Sequence, residues 1–262
     1  NQSLNNITFP TSLQTLTFGF HFNQSLDHVT LPPQLTSLRL DYTFNQPLDH
    51  VFFPESLISL FFGNNFNQSL DHVKLPPSLT VLEFGYRFNQ SLDRVVLPSS
   101  LTSLSFGYFF NQSLTHIKFP SLQTLLFGSS FNQPVENSLN NLISLTHLTF
   151  GYYFNKPLSN SLNNLSSITN LAFGYEFNQP LNESLNNLSS LTHLTLGYKF
   201  DQSLEIPPNI KILTLDCNNI DLIENLPNSI EELNFGCNFD LELLNLPNSI
   251  KIIKFDKDSN YN

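Results

Sequence analysis

Residues 22–43 read FNQSLDHVTLPPQLTSLRLDYT, from Phe22 to Thr43, and this stretch recurs along the chain with small changes. Its opening phenylalanine returns at Phe44, Phe66, Phe88 and Phe110, each 22 residues on. It returns again at Phe131, Phe154, Phe177 and Phe200, after steps of 21, 23, 23 and 23. The last units shorten to 19 and 20 residues and end with Phe239. A sustained period of this length is the signature of stacked supersecondary units.

A second frame inside the period locates the strands. The pattern L-x-x-L-x-[LF] begins at Leu13, Leu35, Leu57, Leu79, Leu101, Leu122, Leu145, Ile168, Leu191, Ile210, Ile230 and Ile250, which makes twelve units. Alternate residues such as Leu104 and Phe106 are apolar, the period of a strand with one buried face. Glycine usually follows, as at Gly107, where the chain must turn. One unit cannot bury its own apolar residues. In the fifth, Leu101, Leu104, Phe106, Phe110, Leu114, Ile117 and Phe119 would stay largely wet. Stacking units at the inter-strand spacing of ~4.8 Å buries them between neighbours. The expected fold is therefore a solenoid of about twelve coils, leucine-rich-repeat-like, with a parallel sheet on its concave face.

The returning segments differ along the chain. Pro32-Pro33, Pro54, Pro76-Pro77, Pro98, Pro120, Pro207-Pro208, Pro227 and Pro247 predict an extended, polyproline-like convex side, because proline fixes φ and offers no donor. In the 23-residue units, Leu158, Leu162 and Leu165 fall at helical spacing, as do Leu181, Leu185 and Leu188, and predict short helical turns. Asparagine follows the repeated phenylalanine from Asn23 to Asn178, usually with glutamine next. Copies stacked about 5 Å apart form a ladder whose amides can satisfy backbone groups of the turns. In the last units asparagine shifts to Asn218 and Asn238, the position usual in ordinary leucine-rich repeats.

The run F-N-Q-[SP]-L…L-P-x-S-L-x-x-L-x-F-G-Y resembles the FNIP repeat family, a divergent leucine-rich repeat abundant in social amoebae and in giant viruses that infect amoebae. The resemblance covers residues 1–203. Residues 204–255 read as short leucine-rich repeats of 19–20 residues continuing the same solenoid, and 256–262 as a polar tail. Asn1-Gln2-Ser3-Leu4 matches the repeat without its phenylalanine, so the first unit reads as truncated and the parent protein as extending N-terminally. Family members often join such repeats to an N-terminal F-box. The resemblance therefore implies the substrate-recognition part of a ubiquitin-ligase receptor, with ligase components bound through a region outside this chain.

Charge and composition narrow the function. The net charge is −10 with 11 Lys and Arg in all, whereas a nucleic-acid binder needs a basic face; anionic membranes are disfavoured for the same reason. No apolar run approaches the ~20 residues of a membrane span. Cys217 and Cys237 are too few for a disulfide scaffold. They occupy equivalent places in adjacent coils, within reach of a bond, but two reduced thiols of an intracellular protein is the preferred reading. Nine N-x-[ST] sequons include Asn23, Asn67, Asn89 and Asn111. A glycan on these ladder positions would break the stack, which argues for the cytoplasm, or the host cytoplasm if the source is viral.

No catalytic arrangement is legible. Asp27-His28, Asp49-His50 and Asp71-His72 recur every 22 residues, continued by Arg94 and His116. A ladder holds imidazoles parallel, whereas a metal needs them convergent, so no metal is expected. His147 and His193 should share the concave side with Asn170 between them. There is no phosphate loop, nucleophile elbow or CxxC. The chain reads as a non-enzyme without a cofactor.

The expected working surface is the concave face. Phe20, Tyr42, Tyr86, Tyr108, Tyr152, Tyr175 and Tyr198 form a stripe broken at Asn64 and Ser129. Tyrosine is enriched in interfaces, but the same stripe could simply stack on itself. Beside it, Arg39, Phe61, Glu83 and Leu126 point outward, and exposed Phe61 and Leu126 suggest a partner contact. Asp216, Glu231 and Glu232 belong to an acidic patch that could steer a basic partner. The leading function is a protein-binding module. The alternatives are a carbohydrate- or surface-recognition module and a structural repeat without a dedicated ligand.

Overall fold

The computed structural model describes residues 2, 4, 7–119, 122–136 and 138–255. Pro120, the 256–262 tail, and Asn1 and Ser3 of the truncated first copy lie outside the described residues. The chain divides into two compact units, Asn1–Phe131 and Asn132–Asn262. The first contains β1 (Thr15–Thr17), β2 (Ser37–Arg39), β3 (Ser59–Phe61), β4 (Val81–Glu83), β5 (Ser103–Ser105) and β6 (Thr124–Leu126). Each pairs in parallel with the next, with the register Leu16, Leu38, Leu60, Leu82, Leu104 and Leu125. The second unit contains β7 (His147–Thr149), β8 (Asn170–Ala172), β9 (His193–Leu196), β10 (Ile212–Leu215), β11 (Glu232–Phe235) and β12 (Ile252–Phe255), again parallel and in sequence order. The parallel solenoid of short coils expected from the repeat is thus present in both units.

A coil of 22 residues closes through tight turns. In the second coil Val29 N donates to Leu26 O, Leu35 N to Pro32 O, and Phe44 N to Asp41 O, all at 3.0 to 3.1 Å. Pro54, Pro76, Pro98, Pro207, Pro227 and Pro247 open the same turn in their coils, with extended chain between turns. Ser56 and Ser100 of the P-x-S-L motif donate their hydroxyls across to Leu35 O and Leu79 O at 2.7 Å, one coil back. Of the two helical turns expected in the longer units, α1 (Asn182–Leu185) forms. Around Leu158, Leu162 and Leu165 the chain makes successive turns instead, with Ser159 at φ 43°. A second short helix, α2 (Ile220–Glu224), buries Leu222 and Ile223.

The core of the first unit is a double column of phenylalanines. Phe22, Phe44, Phe66, Phe88, Phe110 and Phe131 stack with centroids 6.1 to 6.2 Å apart. Phe62, Phe84, Phe106 and Phe127 form a second column at 5.2 to 5.7 Å. Within a coil the columns touch, as at Phe106–Phe110, 3.8 Å apart. The second unit repeats this with Phe154, Phe177 and Phe200 at 6.0 and 6.3 Å. Burying each ring contributes about 1.5–3 kcal/mol, and ring pairing adds about 0.5–1.5 kcal/mol.

Polar columns hold the same spacing. Asn45, Asn67, Asn89 and Asn111 donate their backbone N–H to Oδ1 of the asparagine one coil earlier, at 2.8 to 2.9 Å. The glutamine beside each donates to the same oxygen, as Gln90 Nε2 does to Asn67 Oδ1 at 3.0 Å. The second unit continues with Asn178 on Asn155 and Asp201 on Asn178, both at 3.0 Å. Glycine completes the set where backbones meet most closely. A Cβ on Gly107 would lie 1.8 Å from Gly85 O, and one on Gly128 1.8 Å from Gly107 O.

In the last coils Asn218 and Asn238 stand one place before that of the repeated phenylalanine. Asn219, not Asn218, fills the place of the repeated phenylalanine; it is buried and donates from Nδ2 to Gln202 O at 3.0 Å. Asn218 is exposed and accepts from Asp240 N at 2.8 Å.

Two outcomes test this packing. Gly107→Ala will lower unfolding stability by about 3 kcal/mol, the upper end of overpacking costs, because the clash is with backbone; urea denaturation measures it. Asn67→Ala strips the acceptor from Asn89 N and Gln90 Nε2 and will cost about 1–3 kcal/mol in the same assay.

Candidate protein-binding face

Local coil spacing can be measured from the aromatic columns, because equivalent rings in successive repeats are displaced by the repeat translation. In the first unit the buried phenylalanines of the FNQ motif are 6.1 to 6.2 Å apart. On the strand side Phe20–Tyr42 and Tyr86–Tyr108 are only 4.4 and 4.8 Å apart. In the second unit the corresponding values are 6.0 to 6.3 Å against 4.6 and 4.7 Å. Coils that close up on the strand side and splay behind it bend toward the strands, so within each unit the sheet lines the concave side.

The stripe of the turn after the strand stands as the sequence places it, and it stacks on itself. In the first unit Phe20 lies on Tyr42, and Tyr86 on Tyr108. In the second unit Tyr152, Tyr175 and Tyr198 form one run. Stacking does not bury the stripe: Tyr42 is 40% exposed, Tyr86 46% and Tyr198 37%, whereas Phe44, Phe66 and Phe88 are 0% exposed. Tyr108, Tyr152 and Tyr175 are half-buried. The sequence reading missed Phe109 and Tyr153, which meet the stripe edge-on, Tyr86–Phe109 at 5.1 Å and Tyr152–Tyr153 at 4.7 Å. Their signal was the doubled aromatic in FGYFF and FGYYF.

On the outward strand positions of the first unit, Arg39, Phe61 and Glu83 align across β2, β3 and β4. The Arg39 guanidinium lies 4.1 Å from the Phe61 ring centroid, a contact that both desolvates the ring and fixes the cation. Glu83 is exposed, and Phe61 and Leu126 are half-buried. In the second unit His147, Asn170 and His193 share one row, so the two imidazoles are separated by an asparagine as the spacing requires. His28, His50, His72, Arg94 and His116 are exposed on the return turns. Among the described residues no three His, Cys, Asp or Glu side chains gather as metal ligands would.

Asp216, Glu231 and Glu232 of the last coils are already engaged. Glu231 pairs with Lys251 at 2.6 Å and Lys211 at 3.4 Å, and Glu232 with Lys254 at 2.6 Å. These lysine hydrogen bonds hold both carboxyls below the ordinary range. Asp216 accepts from the backbone and side chain of Asn238 at 3.2 Å. Residues 212–250 contain no lysine or arginine, but Lys211 and Lys251 both reach Glu231 from the neighbouring coils.

The FNIP Repeat profile matches residues 22–65, 66–109, 166–199 and 200–238, more than half of the chain. The chain belongs to the FNIP repeat family. The match runs past residue 203 into the shorter coils, where Asn219 takes the place of the FNIP phenylalanine. Among solved structures, this FNIP chain is similar to CroV588 of a giant virus, described as a novel circular LRR protein, with 43% identity and a TM-score of 0.80. The similarity covers 94% of this chain and 37% of CroV588, so the chain spans a little over a third of that relative. An internalin from Listeria monocytogenes is 15% identical, with a TM-score of 0.46 over 87% of this chain and 68% of its own. No curated protein matches. No helix among the described residues is long and apolar enough to cross a membrane.

The two thiols provide a check on the C-terminal coils. Both are reduced; Cys217 is buried and Cys237 exposed. Burial pushes the Cys217 thiol up to about 11, so almost none is thiolate near neutrality. At pH 8 iodoacetamide will label Cys237 and leave Cys217 unmodified until denaturant is added; mass spectrometry of the digest reads both.

Proposed function

We propose that this chain is a protein-binding module that engages its partner through the concave strand side, with the aromatic stripe as anchor. One observation carries the reading: Tyr42, Tyr86 and Tyr198 of the strand-side stripe remain 37 to 46% exposed while the phenylalanines behind them are dry. Rigid aromatic surface with a hydroxyl edge supplies contact area at small entropic cost. Arg39, Phe61, Glu83 and Leu126 extend that surface across the first unit, and Tyr152, Tyr175 and Tyr198 provide it in the second. Asp216, Glu231 and Glu232 flank it as bridged carboxylates whose charge is partly balanced by lysine. Leucine-rich-repeat folds commonly serve protein interaction, and the reading needs no cofactor or reaction.

A carbohydrate-recognition role is less well supported. Sugar binding on aromatics uses open ring faces, and within the Tyr152–Tyr175–Tyr198 run the faces of Tyr175 are covered on both sides. The narrower role, substrate recognition for an F-box ubiquitin-ligase receptor in the cytoplasm of an amoeba or of a virus-infected host, rests on family resemblance. The half-buried ladder asparagines Asn67 and Asn89, whose Oδ1 atoms hold the next coil, favour that compartment over a glycosylating one. Co-purification of the F-box-binding adaptor with the full parent protein tests it.

The broader reading is tested by affinity capture from amoebal cytosol, followed by Kd measurement with the purified partner. Arg39→Glu with Tyr86→Ala and Tyr108→Ala will weaken binding about thirtyfold or more, the scale of a lost hot spot. The melting temperature will fall by only a few degrees, at ~2–4 °C per kcal/mol for a chain of this size. Unchanged affinity would remove this face from the interface.

A further inference from the structure

In the first unit the aromatic stripe is broken at Asn64 and at Ser129, and the Asn64 break has a stripe ring on both sides within the unit. Tyr42 and Tyr86 stand in the same column two coils apart, and the coil between them carries Asn64. The hydrogen-bond register confirms the alignment: Asn65 N donates to Tyr42 O at 2.9 Å, and Arg87 N to Asn64 O at 2.8 Å. The outer neighbours of this break are intact stacks, with Phe20 on Tyr42 at 4.4 Å and Tyr108 on Tyr86 at 4.8 Å. The covered faces of Tyr42 and Tyr86 are therefore turned away from each other, and their remaining faces look onto the Asn64 coil. Each wall ring is held by its outer neighbour, Tyr42 at 10° from Phe20 and Tyr86 at 23° from Tyr108.

Spacing defines what fits. One coil step on this side is 4.4 to 4.8 Å, so two steps leave the wall centroids about 9–10 Å apart, twice the inter-strand distance. A planar ring midway would sit at the same distance from each wall as the existing rungs sit from one another. Non-bonded carbons in contact lie ~3.5–4.0 Å apart, so the break is one aromatic ring thick. Asn64 is exposed and leaves the mouth open to solvent, while Phe61, half-buried on the adjoining strand, is an apolar neighbour.

We propose that the gap between Tyr42 and Tyr86 is a slot for one aromatic side chain of the partner protein, which completes the column as its missing rung. The occupant rests on the protein-binding reading; the slot itself does not. Tyrosine or tryptophan is the favoured guest, since a polar ring edge would meet the Asn64 amide. The slot explains why a stripe otherwise devoted to self-stacking is interrupted by a short amide.

The test uses N-acetyl-tryptophanamide with the full chain, followed by amide and aromatic NMR shifts. Saturable ring-current shifts are expected at Tyr42, Asn64 and Tyr86, and not along the continuous Tyr152–Tyr175–Tyr198 column. Asn64→Tyr, which supplies the rung from within, will weaken the probe tenfold or more and leave the fold intact, because tyrosine is the residue of the neighbouring coils. Asn64→Ala will retain binding within about threefold; Tyr86→Leu, which removes one wall, will abolish it. Equal shifts on the continuous column, undiminished binding in Asn64→Tyr, or stronger saturation by methyl β-D-glucopyranoside would overturn the slot. These outcomes are independent of the capture experiment: a partner whose affinity is insensitive to Asn64→Tyr removes the slot but not the face.

Discussion

Each coil is kept dry by the coils on either side of it. The rings of Phe66, Phe88 and Phe110 stack at 6.1 and 6.2 Å and none reaches solvent. No single coil encloses a core; its apolar residues face its neighbours along the stacking direction. Every other device in the repeat serves this contact. Glycine lets the backbones approach, the asparagine oxygen takes one N–H from the next coil and one amide from its glutamine, and the serine of P-x-S-L reaches back to a carbonyl. All of them require the same spacing, so a residue that alters it at one radius is opposed at the others.

That shared spacing also generates the binding surface. Because successive coils are closer at the tyrosines than at the buried phenylalanines, each unit bends toward its strands. The bend gathers outward side chains such as Arg39, Phe61 and Glu83 and presses the stripe rings into contact. Ring stacking and exposure are thus compatible: faces are spent on neighbours, while edges and hydroxyls remain available. A break in the column, as at Asn64, interrupts that stacking between two rings of the first unit.

Much of this is written plainly in the chain. The 22-residue period, the alternation at Leu104 and Phe106, and the asparagine after each phenylalanine led directly to parallel strands, a buried ring column and an amide ladder. Other features were hidden because they depend on what lies one coil away. Glutamine looked like a companion of asparagine, but its partner is the asparagine oxygen of the preceding coil. Asn218 matched a familiar motif, yet counting from Leu215 puts Asn219 in the phenylalanine position, where its amide finds Gln202 O. The acidic stretch seemed uncompensated in one dimension, whereas Lys211 and Lys251 flank Glu231 in three. Helical spacing at Leu158, Leu162 and Leu165 was real, but the same leucines are buried by successive turns. The stripe was legible as a column, and its working role was not, since self-stacking and partner contact draw on the same residues.

Native-state hydrogen exchange on Phe88→Ala addresses the dependence of one coil on the next most directly. The account predicts that exchange will accelerate not only in the altered coil but also at the Asn67 and Asn111 amides on either side, with the effect fading farther along the unit. Acceleration confined to the coil of residue 88, with its neighbours as protected as before, would show that coils hold themselves together and would contradict the account.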